Sequence, residues 1–265
     1  MAARASTGTL NALVKAISIE DHDEILKTTT AALESIPQDH AIRHTKVVAL
    51  LKLDRFEDAI RVIDEGGAEF HRQCPLESAY AHYKSGNLSK AREYLQPALS
   101  SGQRSVLHLE AQVAYRAEKF TEASKAYELL SADSSDHEEG HDLNINELAV
   151  LAQLRQRAGR TSQRSRDDLG RPDTFEVAYN AACVHISNGF YDEALRSISL
   201  AKQLCDSSEE LSDQEKEEEM VPILVQLGYI YFRKGLLKEA ADVYRSINPS
   251  LCVPVPILPE SFHER

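Results

Sequence analysis

Apolar residues in this chain recur at helical spacing, and the helical runs are separated by short polar turns that repeat one pattern. Five segments share it: a turn with Gly or a polar residue, then an apolar or aromatic residue, then Ala three positions later. The alanines are Ala59, Ala91, Ala123, Ala194 and Ala240, and the first three are spaced 32 residues apart. An apolar helix precedes each turn and a second amphipathic helix follows it. The sequence therefore predicts tandem helix–turn–helix units.

These units resemble the tetratricopeptide (TPR) repeat family, which has small residues where the two helices of a repeat cross. The matching eighth positions are Val47, Ala79, Ala111, Ala182 and Gly228, and the matching twenty-fourth positions are Ile63, Leu95, Tyr127, Ile198 and Tyr244. An earlier segment, Thr9 to Pro37, fits only at Ala32 and Pro37 and is interpreted as a degenerate capping repeat. The resemblance implies an all-α fold, a right-handed superhelical solenoid of TPR-like repeats. A generic helical bundle is the alternative, which five recurrences make weaker.

Two segments interrupt the repeats, and a third follows them. Residues at about 133–172 turn polar, then contain one helical run from Ile145 to Ala158 and an Arg-rich loop, whereas residues 206–219 are mostly acidic. Charge runs of this kind are typical of solvated insertions or helix extensions. Residues 249–265 contain four prolines and are expected to be extended. We therefore predict a repeat domain at 1–248 with two insertions, and a Pro-rich tail at 249–265.

Net charge, cysteine spacing and the length of apolar runs disfavour several classes of protein. The chain has 30 Lys and Arg against 42 Asp and Glu, and its formal net charge of −12 disfavours binding of nucleic acid or anionic lipid over the whole surface. Its four cysteines lie far apart with no C-x-x-C pair, which predicts reduced thiols and neither a zinc ribbon nor a disulfide framework. No apolar stretch reaches the roughly 18 residues that a membrane span needs. The prediction is a cytoplasmic protein without membrane contact, cofactor or bound metal.

Motifs for catalysis give little support to an enzyme. His137 to His141 read H-E-x-x-H, the spacing of zinc metalloproteases, but Asp133 to Asp142 contain no apolar residue, so a solvated loop is predicted there. Phosphate-binding glycine loops and a nucleophile elbow are absent from the sequence. The one basic cluster, six arginines from Arg155 to Arg171, is interpreted first as a flexible insertion and second as a contact for RNA or an acidic partner. No small-molecule substrate is expected.

In the TPR family the first helix of each repeat lines a concave groove through its second, fifth, ninth, twelfth and thirteenth positions, so the resemblance implies a peptide-binding surface at those positions. Tyr side chains there supply rigid contact area and cationic side chains attract carboxylates, which predicts a peptide with apolar anchors and acidic residues as the ligand. Packing between adjacent repeats is the alternative role for each Tyr. The predicted groove consists of His44, Val48, Leu51, Lys52, Leu76, Tyr80, Tyr83, Lys84, His108, Gln112, Tyr115, Arg116, Tyr179, Cys183 and Ile186.

The order of the segments resembles, more specifically, the N-terminal region of the 72-kDa-subunit family of the signal recognition particle. Residues 44–50 with 56–59, residues 77–83, and residues 179–183 with 201–205 carry the resemblance, which extends from Leu10 to Asn248. It implies a non-catalytic scaffold for co-translational targeting to the endoplasmic reticulum, whose groove holds the C-terminal segment of the 68-kDa subunit. It also implies that the tail begins a linker to an RNA-binding region, so that particle RNA is contacted only through regions absent from this chain. The alternatives are a peptide-binding adaptor of another cytosolic complex, or RNA contact through the Arg155–Arg171 loop.

Overall fold

The computed structural model of the chain describes residues 7–99, 102–132, 137–158 and 172–248. These ranges contain α-helices and no β-strand, which confirms the predicted all-α fold class. The helices belong to two compact units that divide near residue 133. The first unit contains α1 (Thr7–Ser18), α2 (His22–Ser35), α3 (His40–Lys52), α4 (Phe56–Glu65), α5 (Gly67–Gln73), α6 (Pro75–Lys84), α7 (Leu88–Leu95), α8 (Arg104–Arg116) and α9 (Phe120–Ser131). The second contains α10 (His137–Ala158), α11 (Phe175–Asn188), α12 (Tyr191–Ser207), α13 (Asp213–Arg233) and α14 (Leu237–Ser246).

Helices that are consecutive in sequence pair into hairpins, and all five predicted turns lie inside such hairpins. The pairs are α1 with α2, α3 with α4, α6 with α7, α8 with α9, α11 with α12, and α13 with α14. Each turn contains one residue with positive φ, namely Glu20, Asp54, Gly86, Glu118, Gly189 and Gly235. Glycine adopts this left-handed conformation without steric cost, whereas a Glu residue adopts it at a steric cost. The turn geometry is therefore common to all six hairpins even where the sequence offers no glycine.

The small residues predicted at the helix crossings are buried. Val47, Ala79, Ala111 and Ala182 have no exposed surface, and the alanines that follow the five turns are also buried. At the last crossing, a Cβ atom added to Gly228 would lie 2.7 Å from the Cε1 and Cζ atoms of Tyr244. Close approach of the paired helices therefore requires the small residues of the repeat pattern.

The N-terminal hairpin, predicted as a degenerate cap, packs on the next one. Leu13, Ala16 and Ile25 form a small buried cluster with Ala49 of α3. On the other side of α1, Val14 and Ile17 are exposed. The segment thus folds as a helix hairpin although its repeat signature is weak.

One prediction for the interrupting segments needs revision. The loop predicted from Asp133 to Asp142 is wrong from His137 onward, because α10 begins there and continues to Ala158. In the acidic segment, residues 213–219 form the start of α13, whose N-terminus is closed by a capping box between Ser212 and Glu215. The remainder of the Arg-rich loop, 159–171, and the tail, 249–265, lie outside the described residues.

None of the described helices is long and apolar enough to cross a membrane.

The helix α5 is not predicted by the repeat pattern. This seven-residue helix inserts Phe70 into the core of the hairpin formed by α3 and α4, where the ring is completely buried. The ring of His40 contacts Phe70 edge to face with centroids 5.4 Å apart, and the guanidinium of Arg43 lies 5.9 Å from its centroid. Phe70 therefore anchors the connection between two successive hairpins.

Candidate functional site

A cleft of about 480 Å³ lies in the first unit, along the first helices of three successive hairpins. Its walls come from α3, α6 and α8, the elements that the repeat pattern assigns to the groove. Val48, Leu51, Leu76, Tyr80 and Leu109 supply the apolar surface. The complete lining is Val48, Leu51, Lys52, Leu76, Glu77, Tyr80, Ser105, His108, Leu109 and Gln112. The structure thus brings seven of the predicted groove residues to one surface: Val48, Leu51, Lys52, Leu76, Tyr80, His108 and Gln112.

Aromatic contacts fix the orientation of Tyr80. Its ring meets Phe56 of α4 edge to face, with centroids 6.2 Å apart. The ammonium of Lys84 lies 5.5 Å from the centroid of the same Phe56 ring. Tyr80 is half-buried, and it packs against the cluster formed by α6, α7 and α8. The cleft therefore presents an aromatic side chain that packs against Phe56 and the neighbouring apolar cluster.

Polar contacts at one edge of the cleft join α3 to α6. His44 Nε2 and Glu77 Oε1 are 2.8 Å apart, and the buried thiol of Cys74 lies beside them. Burial, and secondarily the charge of Glu77, raise the pKa of the Cys74 thiol to about 12. The thiol is consequently neutral at physiological pH in the metal-free protein.

Tyr83, Tyr115 and Arg116 lie outside the described lining of the cleft and contact their neighbours instead. The Arg116 guanidinium lies 4.9 Å from the centroid of Tyr83, and its Nη1 donates a hydrogen bond of 3.2 Å to the Tyr83 carbonyl oxygen. The Tyr115 ring packs edge to face on Phe120, with centroids 5.4 Å apart. These contacts connect or brace adjacent helices, a role that the sequence analysis had left open for each Tyr.

The remaining predicted groove residues lie on α11, in the second unit. Tyr179 and Ile186 pack against the apolar cluster shared by α11, α12 and α13, whereas Cys183 packs against the cluster between α10 and α11. All three are half-buried. Burial raises the pKa of the Cys183 thiol to about 11. The amide of Asn180 donates a 2.9 Å hydrogen bond to the carbonyl oxygen of Ile145, which further ties α11 to α10.

The H-E-x-x-H segment lies at the start of α10. The His141 Nε2 atom is 3.5 Å from the hydroxyl of Thr174, and its Nδ1 atom is 3.9 Å from the Asp173 carboxylate. The side chains of His137 and Glu138 lie outside the described residues. The described contacts of His141 join α10 to the start of α11.

Three lining residues were not predicted: Glu77, Ser105 and Leu109. Ser105 occupies the second position of its repeat, which the family pattern itself assigns to the groove, so that signal was present in the sequence. Glu77 and Leu109 occupy the sixth position. Their contribution depends on how far each hairpin is rotated against the next, which the repeat pattern does not specify.

Comparisons with known proteins agree with this architecture. The family model SRP_TPR_like, which describes a TPR-like repeat, matches residues 18–153, just over half of the chain. The chain is 28% identical over 239 residues to the signal recognition particle subunit SRP72 of Schistosoma mansoni, covering 89% of this chain and 33% of that protein. It is 29% identical to the SRP72 subunit of Caenorhabditis elegans and 26% identical to that of Homo sapiens, in each case over 86% of this chain and over 35% and 34% of those proteins. The chain thus spans about a third of the length of the curated relatives it matches.

Proposed function

This chain belongs to the TPR-like repeat family of the signal recognition particle, and from that premise we propose that it is a non-catalytic scaffold of the particle. Its partner is the C-terminal segment of the 68-kDa subunit, which binds in the cleft between α3, α6 and α8. The function is to support co-translational targeting of proteins to the endoplasmic reticulum, in the cytoplasm. The relatives that bear the name of a subunit of this particle support the assignment.

The shape and chemistry of the cleft carry the proposal. Its volume of about 480 Å³ falls within the roughly 300–1,000 Å³ that is usual for ligand sites. Five of its ten lining residues are Val, Leu or Tyr, and Lys52 is exposed at its margin. A peptide with apolar anchors would be desolvated against that surface, and an acidic residue beside them would be attracted to the ammonium of Lys52.

Titration calorimetry with the C-terminal segment of the 68-kDa subunit tests the proposal, with a scrambled peptide and the particle RNA as controls. We expect one-to-one binding of the true segment only. Absence of binding, or tight binding of the RNA alone, would contradict the proposal.

Two matched pairs of variants test whether the cleft is the site. Val48→Asp places a carboxylate in the cleft, at a half-buried residue outside the core cluster of α3 and α4. It is expected to weaken binding at least about tenfold, because a charge must then be desolvated against the ligand. Leu129→Asp makes the same kind of change on α9, at a side chain that is 61% exposed and outside the cleft lining. Its affinity should equal that of the wild type.

Charge reversal separates the electrostatic contribution. Lys52→Glu should weaken binding a few-fold and reduce its dependence on salt, whereas Lys125→Glu, an exposed residue of α9, should change neither. Equal effects of the two reversals would mean that net charge, and not the cleft, controls the association.

A further inference from the structure

Three side chains that can each donate a metal ligand meet at the edge of the cleft. His44 lies on α3, Cys74 lies at the junction of α5 and α6, and Glu77 lies in the first turn of α6. The donor atoms all lie within 4.8 Å of one another, and His44 Nε2 is 2.8 Å from Glu77 Oε1. Within the described ranges, this is the one group of three or more such residues that approach so closely.

The combination of donors is selective. Thiolate, imidazole and carboxylate together favour a borderline-soft ion with no preferred geometry of its own, and Zn²⁺ is the common ion of this kind in proteins. Hard cations such as Mg²⁺ and Ca²⁺ bind oxygen ligands and do not use a thiolate. Three protein ligands with a fourth position for water or another donor is the usual arrangement of an open zinc site.

We propose that His44, Cys74 and Glu77 bind a Zn²⁺ ion that links α3 to the junction of α5 and α6, and that the Cys74 thiol releases its proton to solvent when the Zn–S bond forms. With zinc–ligand bonds of about 2.0–2.3 Å, tetrahedral ligands lie roughly 3.3–3.7 Å apart. No donor pair is farther apart than 4.8 Å, so none needs to approach by more than about 1.5 Å, and the His44 and Glu77 atoms, 2.8 Å apart, need to separate by about 0.5–0.9 Å. Side-chain rotation can supply both movements. The His44 and Glu77 side chains are 43% and 21% exposed, so the ion has a route from solvent, whereas Cys74 is completely buried.

The proposed site does not require that a peptide binds, although Glu77 also lines the cleft. His44 and Glu77 are contributed by successive hairpins, so a bound ion would cross-link them. Because the ion would bind the folded arrangement of the three donors and not the unfolded chain, zinc should also raise the unfolding temperature of the first unit.

Cobalt substitution provides the test, because a Co²⁺–thiolate bond gives a charge-transfer absorption that oxygen and nitrogen ligands do not give. The reduced 265-residue chain is titrated with Co²⁺, and zinc is then added to displace it and measure the stoichiometry. We expect the charge-transfer band at one equivalent in the wild type and in Cys205→Ala, a control at a buried cysteine of the second unit. Cys74→Ala should lack the band.

Cys74→Ala could lose the band because it fails to fold, so substitutions of the other two ligands, which leave the thiol in place, are tested as well. His44→Gln and Glu77→Gln should each bind zinc at least about tenfold more weakly, since even removal of a group that only supports a ligand has that effect. His71→Gln is the matched control: His71 Nε2 lies 3.0 Å from Asp64 Oδ1, a similar pair outside the three-donor group. It should bind zinc as the wild type does.

Three results would overturn the proposal. The first is the absence of a charge-transfer band at millimolar cobalt, and the second is a band that persists in folded Cys74→Ala. The third is unchanged zinc affinity in both His44→Gln and Glu77→Gln, which would leave their contact as a hydrogen bond between hairpins only.

Discussion

Replacement of Phe70 by Ala should be among the most destabilising single changes in the first unit. The ring has no exposed surface and packs among Val47, Leu50, Ile63 and Cys74, between hairpins. It also contacts the guanidinium of Arg43, whose Cζ lies 5.9 Å from the ring centroid, and the whole Arg43 residue is only 8% exposed. Removal of the ring opens a cavity on the apolar side and uncovers a buried charge on the other.

The size of the effect follows from the buried area. A buried Phe removes about 150–250 Å² from water, and at roughly 25 cal/mol per Å² this gives an upper value near 4–6 kcal/mol. The methyl group that Ala retains, and water that can hydrate Arg43 in the new cavity, reduce this loss. We expect about 3–4 kcal/mol, within the range measured for other buried Phe-to-Ala changes. Such a loss is a large fraction of the total stability of a typical domain.

Hydrogen exchange measured by mass spectrometry is the appropriate assay, because the chain has two compact units and a single unfolding midpoint would mix them. In Phe70→Ala, peptides from α3 and α4 should exchange through an opening whose free energy is about 3–4 kcal/mol lower than in the wild type. Phe232→Ala, at a ring that is 55% exposed on α13, should cost about 1 kcal/mol or less in its own unit. Equal effects of the two substitutions would refute the assignment of Phe70 as a core anchor.

Three further predictions concern stability, read from urea midpoints that hydrogen-exchange labelling resolves for the unit that carries each change. Glu20→Gly should stabilise the first unit by about 0.5–1 kcal/mol, because Glu20 has positive φ. Gly86→Ala should destabilise it by about 1 kcal/mol, because Gly86 also has positive φ, and the added Cβ atom would meet open space, so backbone strain alone acts. Burial lowers the pKa of His82 from its usual 6.5. The neutral imidazole therefore stabilises the fold fully above pH 6.5, and this stabilisation is lost as the pH falls through the lowered pKa of the folded state. His82→Phe should therefore lose less stability than the wild type between about pH 7.5 and about pH 5. Gly228→Ala should destabilise by up to about 2 kcal/mol through contact with Tyr244, but stabilise in a Tyr244→Ala background, where helix propensity alone acts. A midpoint shift of the opposite sign would contradict the corresponding argument.

Much of the fold could be predicted from the sequence because the repeat places small residues at structurally equivalent points. Ala79 and Ala111 predicted helix crossings, and both are completely buried. The turn alanines located the hairpins for the same reason. Mapping the repeat positions also placed Val48, Leu76 and Gln112 on one surface, since residues at equivalent positions of stacked hairpins face the same side.

What could not be predicted depended on features without periodicity. The helix α5 has one large apolar residue, Phe70, in seven positions, so it gives no helical pattern. The first turns of α10 are charged and contain Gly140, which by propensity alone favours a loop. The proximity of His44 to Glu77 is equally hidden, because it requires two hairpins to stack with a particular offset.

Binding of the segment in the cleft is tested most directly by locating the bound peptide. A photoreactive amino acid is introduced in place of Tyr80, in the cleft, or in place of Leu129, exposed on α9, and each variant is irradiated with the C-terminal segment of the 68-kDa subunit. We expect crosslinks at position 80 that an excess of unlabelled segment removes, and none at position 129. Crosslinks at position 129 without any at position 80 would contradict binding in the cleft.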